Sequence, residues 1–183
     1  DGKQGEAAKE VNTVAPIEKG NSYTISAELN PADKTLTASQ TVKYVNTETV
    51  DLNELYFNVH ANAFKTKDTA PFLFDDFERA YSGGFSPGYT EVTSVKVRQG
   101  NDLKYSFQGE DSTIMKIELP QPLKKGEAIE LEMSYKVVIP PANERFGYGE
   151  NHFNLGNWYP IAAVYDKNGW NLDKYYAIGD PFY

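Results

Sequence analysis

The sequence has no cysteine, little positive charge and no long apolar run. With zero cysteines in 183 residues, disulfides, thiolate metal sites and a cysteine nucleophile are excluded within this chain, whereas the compartment stays open. Lys and Arg number 18 against 26 Asp and Glu, which gives a formal charge of −8. Because phosphate binding needs clustered basic side chains and Lys124-Lys125 is the densest basic spot, no nucleic acid partner is expected. No apolar run approaches the roughly 18 residues of a membrane span, and no charged-then-apolar signal segment opens the chain.

What remains is the composition of a folded domain. Hydrophobic residues make up 40% and aromatic residues 14% of the chain, and this length is sufficient to bury a core within one domain. Residues 1–20 are polar and contain Gly and Pro, so we expect a flexible lead-in. Residues 21–183 are expected to form a single β domain. Because the first residue is Asp1 rather than Met, we expect a processed or excised piece.

Apolar and polar residues alternate along most of the chain after Asn21, which is the period of a half-buried strand. The expected strands are Tyr23–Leu29, Thr35–Val45, Leu55–Val59, Val92–Val97, Leu103–Phe107, Ile114–Leu119 and Ile129–Ile139. In the third strand, the face opposite the apolar one is expected to carry Tyr56, Asn58 and His60. Asn30-Pro31-Ala32-Asp33 predicts a turn that joins the first two strands, because Asn, Pro and Asp favour turns. The expected fold is mainly β, with antiparallel sheets forming a sandwich-like or saddle-shaped domain with little helix.

Two stretches depart from the alternation. Ala61–Thr90 is longer than most loops of a compact domain, so we expect it to have a function or a small structure of its own. Within it, Pro71–Arg79 predicts one or two helical turns. The last third, from Pro140, is rich in Tyr, Trp, Asn and Gly. There, Asn168-Gly169 predicts a hairpin that pairs Val164-Tyr165 with residues near Trp170.

A zinc site is the first chemistry to consider. Catalytic zinc needs three protein ligands, commonly with histidines close together. This chain has two histidines, His60 and His152, and neither begins the motif H-E-x-x-H. We therefore expect structural or solvent-exposed histidines and no metal ligands in this chain.

Gly84-Phe85-Ser86-Pro87-Gly88 matches the nucleophile-elbow string G-x-S-x-G. The residue after the serine donates a backbone N–H to the oxyanion hole in such elbows, and Pro87 has none. The string also leads into strand-like Glu91-Val92-Thr93 instead of a helix. A turn is predicted, with no catalytic residue, and a serine hydrolase using Ser86 stays open as an alternative.

Two further groups have competing interpretations. Asp75, Asp76 and Glu78 form the densest acidic group, but they lack the alternate spacing and the glycine of a calcium loop. Carboxylates in the first turn of a helix explain them better. The aromatic residues from Trp158 to Tyr176 are suited to stacking on sugar rings, but core or interface positions are favoured because large aromatic side chains dominate both.

Several segments, taken in order, resemble a known family. The first are Tyr23–Pro31, Lys34–Gln40, Val42–Asn46, Leu52–Phe57 and Asn62-Ala63-Phe64. The later ones are Gly84–Tyr89, Leu123–Glu127, Gly156–Pro160, Val164-Tyr165-Asp166 and Gly169-Trp170. From roughly Tyr23 to Tyr183 the chain resembles the N-terminal β domain of the M1 family of zinc metallopeptidases, which are aminopeptidase N-like, and in particular their bacterial membrane-associated branch. Trp158-Tyr159-Pro160 replaces the family's more usual segment with Arg, Phe-Pro and Asp-Glu-Pro.

The resemblance implies a non-catalytic role. In the family, the zinc ligands lie in H-E-x-x-H with a further glutamate, and a Gly-x-Met-Glu-Asn-like segment grips the substrate amine. None of these motifs occurs between Asp1 and Tyr183, so no cofactor is expected in this piece and zinc is expected in the missing catalytic domain. The resemblance implies two partners, the downstream catalytic domain of the same chain and the peptide substrate of the parent, whose cleft this domain would wall.

The resemblance also places individual residues. Within Glu150-Asn151-His152-Phe153-Asn154, the possible cleft-facing residues are Glu150, Asn151 and Asn154. The residues assigned to the interdomain interface or core are Trp158, Tyr159, Pro160, Trp170 and Tyr175.

Three expectations concern the context of the chain. The alternative function is a stand-alone extracellular β-sandwich that binds carbohydrate or protein through Tyr and Trp residues. Because family members continue into another strand after Tyr183, an open sheet edge favours self-association of the fragment. An extracellular or membrane-tethered parent is favoured by the polar lead-in and by the branch likeness.

Overall fold

The computed structural model describes residues 20–72 and 76–179; residues 1–19, nearly all of the expected lead-in, and the final residues 180–183 lie outside the described part. The strands are β1 Ser22–Asn30, β2 Thr35–Val45, β3 Leu52–Asn58, β4 Tyr89–Val97, β5 Tyr105–Gln108, β6 Ile114–Leu123, β7 Ala128–Val138, β8 Phe146–Tyr148, β9 Phe153–Leu155, β10 Ile161–Ala162, β11 Tyr165–Asp166 and β12 Gly169–Trp170. A 3₁₀ helix spans His60–Phe64, and α1 spans Phe77–Ala80. Strands take up 47% of the structure and helices 6%, which confirms the predicted mainly β class.

The first sheet has four antiparallel strands in the order β1-β2-β7-β4. The β1–β2 hairpin closes through the predicted turn, where Asn30 Oδ1 accepts the N–H groups of Ala32 at 3.0 Å and Asp33 at 3.2 Å. β2 and β7 pair without a break over eleven residues. Apolar and polar side chains alternate regularly along β2 and β7, since one face of each strand packs inward and the other meets solvent. This alternation explains why both strands were predicted from the sequence.

The second sheet has the order β10-β3-β6-β5 and is also antiparallel. Both four-stranded sheets contribute side chains to one buried core, which is the arrangement expected of a sandwich-like domain. The largest fully buried side chains include Phe57 and Leu55 of β3, Met115 of β6 and Leu131 and Tyr135 of β7. Two small hairpins, β8–β9 and β11–β12, complete the described strands.

The alternation predicted for β3 is wrong over its second half. Tyr56 and Asn58, expected on a polar face, are buried at 7% and 3% exposure. A second layer covers this face, because Ala163 and Trp170 pack on Tyr56 and Ile114. The covering residues come from the end of the chain, more than a hundred positions after β3.

The remaining predicted elements are found close to their expected places. The β11–β12 hairpin pairs Tyr165 with Trp170 around Asn168-Gly169, which confirms the predicted turn, and Gly169 has the positive φ of 100° that such a turn needs. The helical turn predicted within Pro71–Arg79 is present as α1, while residues 73–75 lie outside the described chain. Over the described residues, no helix is both long and apolar enough to cross a membrane.

Candidate functional site

A short hairpin, β8–β9, forms one wall of a surface cleft. Its two strands pair in antiparallel register, and the turn between them closes through a hydrogen bond from the N–H of Gly149 to the carbonyl of His152 at 3.0 Å. Next to this turn, the N–H of Tyr148 donates to the carbonyl of Pro140 at 2.9 Å. These backbone bonds fix the hairpin to the segment that follows β7.

Two glycines in this hairpin make close approaches. A Cβ on Gly147 would run into the backbone carbonyl oxygen of Ala142, so glycine is required there. A Cβ on Gly149 would meet the imidazole of His152, an exposed side chain that can turn away. Gly147 therefore fixes the path of the backbone in the cleft wall.

The cleft has a volume of about 450 Å³ and is bounded by four separate turns. Lys34 comes from the β1–β2 turn, Ser82 from the turn after α1 and Asn143 from the segment after β7. Glu150 and His152 come from the β8–β9 turn. The polar groups of the lining residues are one ammonium, one carboxylate, an imidazole, an amide and the two hydroxyls of Ser82 and Tyr148.

Lys34 is held firmly at the edge of this cleft. Its backbone has the left-handed φ of 56°, and its ammonium donates to the carbonyl of Pro31 at 2.7 Å. The same ammonium lies 5.2 Å from the ring centroid of Tyr148 and 5.3 Å from that of Phe153. The face of an aromatic ring attracts a positive charge, so these two contacts help to hold the ammonium in place. The cleft lining thus includes an ammonium held by its neighbours and the exposed carboxylate of Glu150, which together suit a small polar or zwitterionic group.

The three residues predicted to face a cleft take different positions. Glu150 is exposed and lines the cleft. Asn151 is exposed in the same turn but does not line it. Asn154 lies on β9, where its side-chain N–H donates to the carbonyl of Glu144 at 3.0 Å. The structure therefore brings Glu150 to the cleft and leaves the two asparagines outside its lining.

The Trp158-Tyr159-Pro160 segment follows this hairpin and is attached to the first sheet. The side-chain amide of Gln40 donates to the carbonyl of Pro160 at 2.9 Å, and the hydroxyl of Tyr135 donates to the amide oxygen of Gln40 at 2.9 Å. Burial raises the pKa of the Tyr135 hydroxyl, which keeps it protonated as a donor. The ring of Trp158 lies 6.3 Å from that of Tyr135 and 5.5 Å from that of Tyr159.

Trp170 and Tyr175 also pack against other aromatic rings. The ring of Trp170 lies 5.4 Å from that of Tyr56 and 5.2 Å from that of Tyr165. The ring of Tyr175 lies 5.3 Å from the imidazole of His60. Both side chains are half-buried at the edge of the core.

His60 is the most unusual polar residue of the described chain. It is 4% exposed, and neither ring nitrogen has a hydrogen-bond partner. Burial lowers its pKa to about 4, against a smaller opposing effect of the Asp111 carboxylate. The hydroxyl of Thr90 at the start of β4 is likewise buried without a partner. Of the two roles expected for the histidines, His60 has a structural position and His152 an exposed one.

The G-x-S-x-G string lies in a loop that leads into β4, as its strand-like continuation predicted. Ser86 is exposed there, and Gly88 is pressed against the ring of Pro140. No helix follows the serine, so the geometry of a nucleophile elbow is missing.

Two members of the acidic group, Asp76 and Glu78, lie at the start of a helix. Asp76 caps α1, since its Oδ1 accepts the N–H of Arg79 at 2.9 Å, and Glu78 lies in the first turn. Asp75 lies outside the described residues. Within residues 20–72 and 76–179, no three His, Cys, Asp or Glu side chains come together to hold a metal ion.

Lys34, Ser82 and Asn143 were not predicted as site residues. They reach the cleft from turns far apart in the chain, so no spacing in the sequence connects them. For Lys34 there was a partial signal, because the preceding Asn30-Pro31-Ala32-Asp33 turn was predictable.

No protein-family model and no curated protein matches the sequence. Similar solved structures include a two-domain M1 zinc metallopeptidase variant bound to L-tryptophan, which is 15% identical with a TM-score of 0.42, the match covering 67% of this chain and 21% of that one. Another is an M1 zinc metallopeptidase from Deinococcus radiodurans, 14% identical with a TM-score of 0.42, the match covering 67% of this chain and 21% of that one. The match spans about a fifth of the length of these proteins. A likeness at this level leaves family and activity unassigned.

Proposed function

We propose that this chain is the non-catalytic N-terminal β domain of an M1-type zinc aminopeptidase. In this role it packs on the catalytic domain and walls one side of the peptide-binding cleft. Support comes from the ordered series of sequence motifs, which runs through the described strands, and from the mainly β architecture that the resemblance implies.

The observation that carries the proposal is the position of Gly156–Pro160, the most specific of these motifs. It follows directly after the β8–β9 hairpin and is held to the first sheet through Gln40. The hairpin that presents Glu150 therefore extends from a rigid base. The exposed carboxylate of Glu150 and the ammonium of Lys34 line the same cleft, and charged groups presented on a supported hairpin suit contact with the polar end of a peptide.

The two histidines of the chain lie in different settings: His60 is buried against the ring of Tyr175, and His152 lies on the exposed β8–β9 turn. Among the described residues, neither joins two further His, Cys, Asp or Glu side chains in a group that could hold a metal ion. Under the proposal, the metal ligands and the general base belong to the catalytic domain, and this chain contributes binding surface.

The first test is the gene sequence after the codon for Tyr183. The proposal expects an H-E-x-x-H motif followed by a glutamate within the next few hundred codons. A stop codon, or a following domain without these ligands, would refute it and would move the carbohydrate- or protein-binding β-sandwich to first place.

The second test is made in the full-length parent enzyme. Glu150→Gln should raise the KM for peptide hydrolysis by roughly tenfold, since one charge-assisted contact is lost, and should leave the zinc content unchanged. Glu110→Gln is the matched control, because Glu110 is an exposed carboxylate outside the cleft lining. Equal kinetics for the two variants would contradict a cleft-walling role for the hairpin.

A further inference from the structure

The two edges of the first sheet are built differently. The outer edge of β4 is covered, because the carbonyl of Val95 accepts the N–H of Leu103 at 2.8 Å and the carbonyl of Val92 accepts the hydroxyl of Tyr105 at 2.9 Å. β4 also carries a register shift between Val92 and Ser94 and a charged Lys96. Covering segments, bulges and lysines are the devices that stop an edge strand from pairing with another chain.

The opposite edge, β1, has none of these devices. It is nine residues long and pairs with β2 at every position, without a register shift. It contains no Lys, Arg or Pro, and Glu28 is its one charged residue. None of the described strands pairs with its outer side. The edges of the second sheet are shorter, with two residues in β10 and four in β5. β1 is therefore the longest open edge in the described part of the chain.

The sequence of β1 is complementary to itself when reversed about Ser26. Antiparallel pairing about this residue places Tyr23 opposite Leu29 and Ile25 opposite Ala27 on the inner face, and Ser22 opposite Asn30 and Thr24 opposite Glu28 on the outer face. Apolar residues meet apolar residues, and polar residues meet polar ones. The two copies of Glu28 are kept apart, so like charges do not face each other across the interface.

From this self-complementarity we infer that β1 is a homodimer interface. A second copy of the chain pairs with β1 in antiparallel register around Ser26, and the two four-stranded sheets become one sheet of eight strands. The interface needs no rearrangement, because β1 is already held in a regular strand by β2. The inference differs from the self-association expected at the end of the chain, since the open edge lies on the first strand.

The absence of cysteine makes the register directly testable. In the dimer, the Cβ atoms of Ser26 and its copy lie about 5 Å apart, within reach of a disulfide after small adjustment. Ser26→Cys in the full chain should therefore form a disulfide-linked dimer rapidly under mild oxidation. Ser39→Cys is the matched control. Ser39 is an exposed residue of β2 that pairs with Ser26 of the same chain. In the dimer, the two copies of Ser39 would lie three strand spacings apart, at ~14 Å. Equal rates of cross-linking for the two variants would overturn the inference.

Charge substitutions test the same register without cross-linking. Ser26→Lys places two ammonium groups opposite each other and should weaken dimerisation by roughly tenfold or more in sedimentation equilibrium. Thr24→Lys adds the same charge but faces Glu28 of the second copy, so it should not weaken the dimer. Ser39→Lys controls for folding and for net charge. A wild-type chain that stays monomeric, together with no cross-linking at Ser26, would refute the homodimer.

Discussion

Acidification should destabilise the fold through His60, a buried imidazole whose two nitrogens have no partners. Its pKa is about 4 in the folded protein against 6.5 in the unfolded chain. Below pH 6.5 the unfolded chain binds a proton that the folded protein does not, so the free energy of unfolding falls as the pH falls. The loss continues until the pH reaches about 4 and then stops. A difference of about 2.5 pKa units corresponds to about 3 kcal/mol.

The contribution of His60 can be isolated with a variant of similar shape. His60→Phe cannot titrate and leaves no unsatisfied ring nitrogens, so it should be at least as stable as the wild type at pH 7. Urea unfolding followed by circular dichroism between pH 7 and pH 4 measures both proteins. The carboxylates of the two proteins titrate alike. The difference between their free energies of unfolding should therefore grow by about 3 kcal/mol between pH 7 and pH 4.

The chain provides its own control because it has two histidines. His152→Gln removes the exposed imidazole and controls for the loss of a histidine side chain. NMR titration of the His60 Cε1 proton gives its pKa directly. A pKa of His60 near 6.5, or parallel stability curves for wild type and His60→Phe, would refute the argument from burial.

Two further predictions concern the packing around the candidate site. Gln40→Leu leaves the carbonyl of Pro160 and the hydroxyl of Tyr135 without their partner and should lower the free energy of unfolding by about 2–4 kcal/mol. The control Gln121→Leu, at an exposed position of β6, should change that free energy little. Equal effects of the two variants in urea unfolding would count against a stabilising role of the Gln40 hydrogen bonds. Gly147→Ala drives a methyl group into the carbonyl of Ala142 and should cost about 1–3 kcal/mol, while Gly83→Ala meets nothing within 4 Å and should be close to neutral in the same assay.

The strands with one wet face were predictable because side-chain alternation alone decides which face is buried. β2 was predicted with its observed bounds, and β7 differs from prediction by one residue at each end. Their partners lie in the same sheet, and the core covers only one side. The two hairpin turns were predictable for a similar reason, since Asn30-Pro31-Ala32-Asp33 and Asn168-Gly169 carry their conformation in the local sequence.

Burial that depends on distant layers was not predictable. Tyr56 is buried because Ala163 and Trp170 cover it from the end of the chain. Gln40 gave a readable signal, as a polar residue at an inward position of β2 between Ala38 and Val42, but its partners on Pro160 and Tyr135 could not be identified from one sequence. Of the polar side chains that line the surface cleft, only Glu150 was among the predicted cleft-facing residues, and its place in a peptide-binding cleft stays a prediction. The other polar side chains converge through the tertiary fold.

The register of β2 has a consequence for the order of folding during synthesis. Thr35 pairs with Val138, about a hundred residues later in the chain. The hydrogen bond from Gln40 to the carbonyl of Pro160 cannot form until Pro160 has been synthesised. Until β7 leaves the ribosome, β2 lacks its partner, and the core lacks the side chains that β7 contributes. Pairings this far apart in sequence also slow folding. The nascent chain therefore exposes apolar surface of β2 while about a hundred further residues are synthesised, and exposed surface of this kind is what chaperones shield.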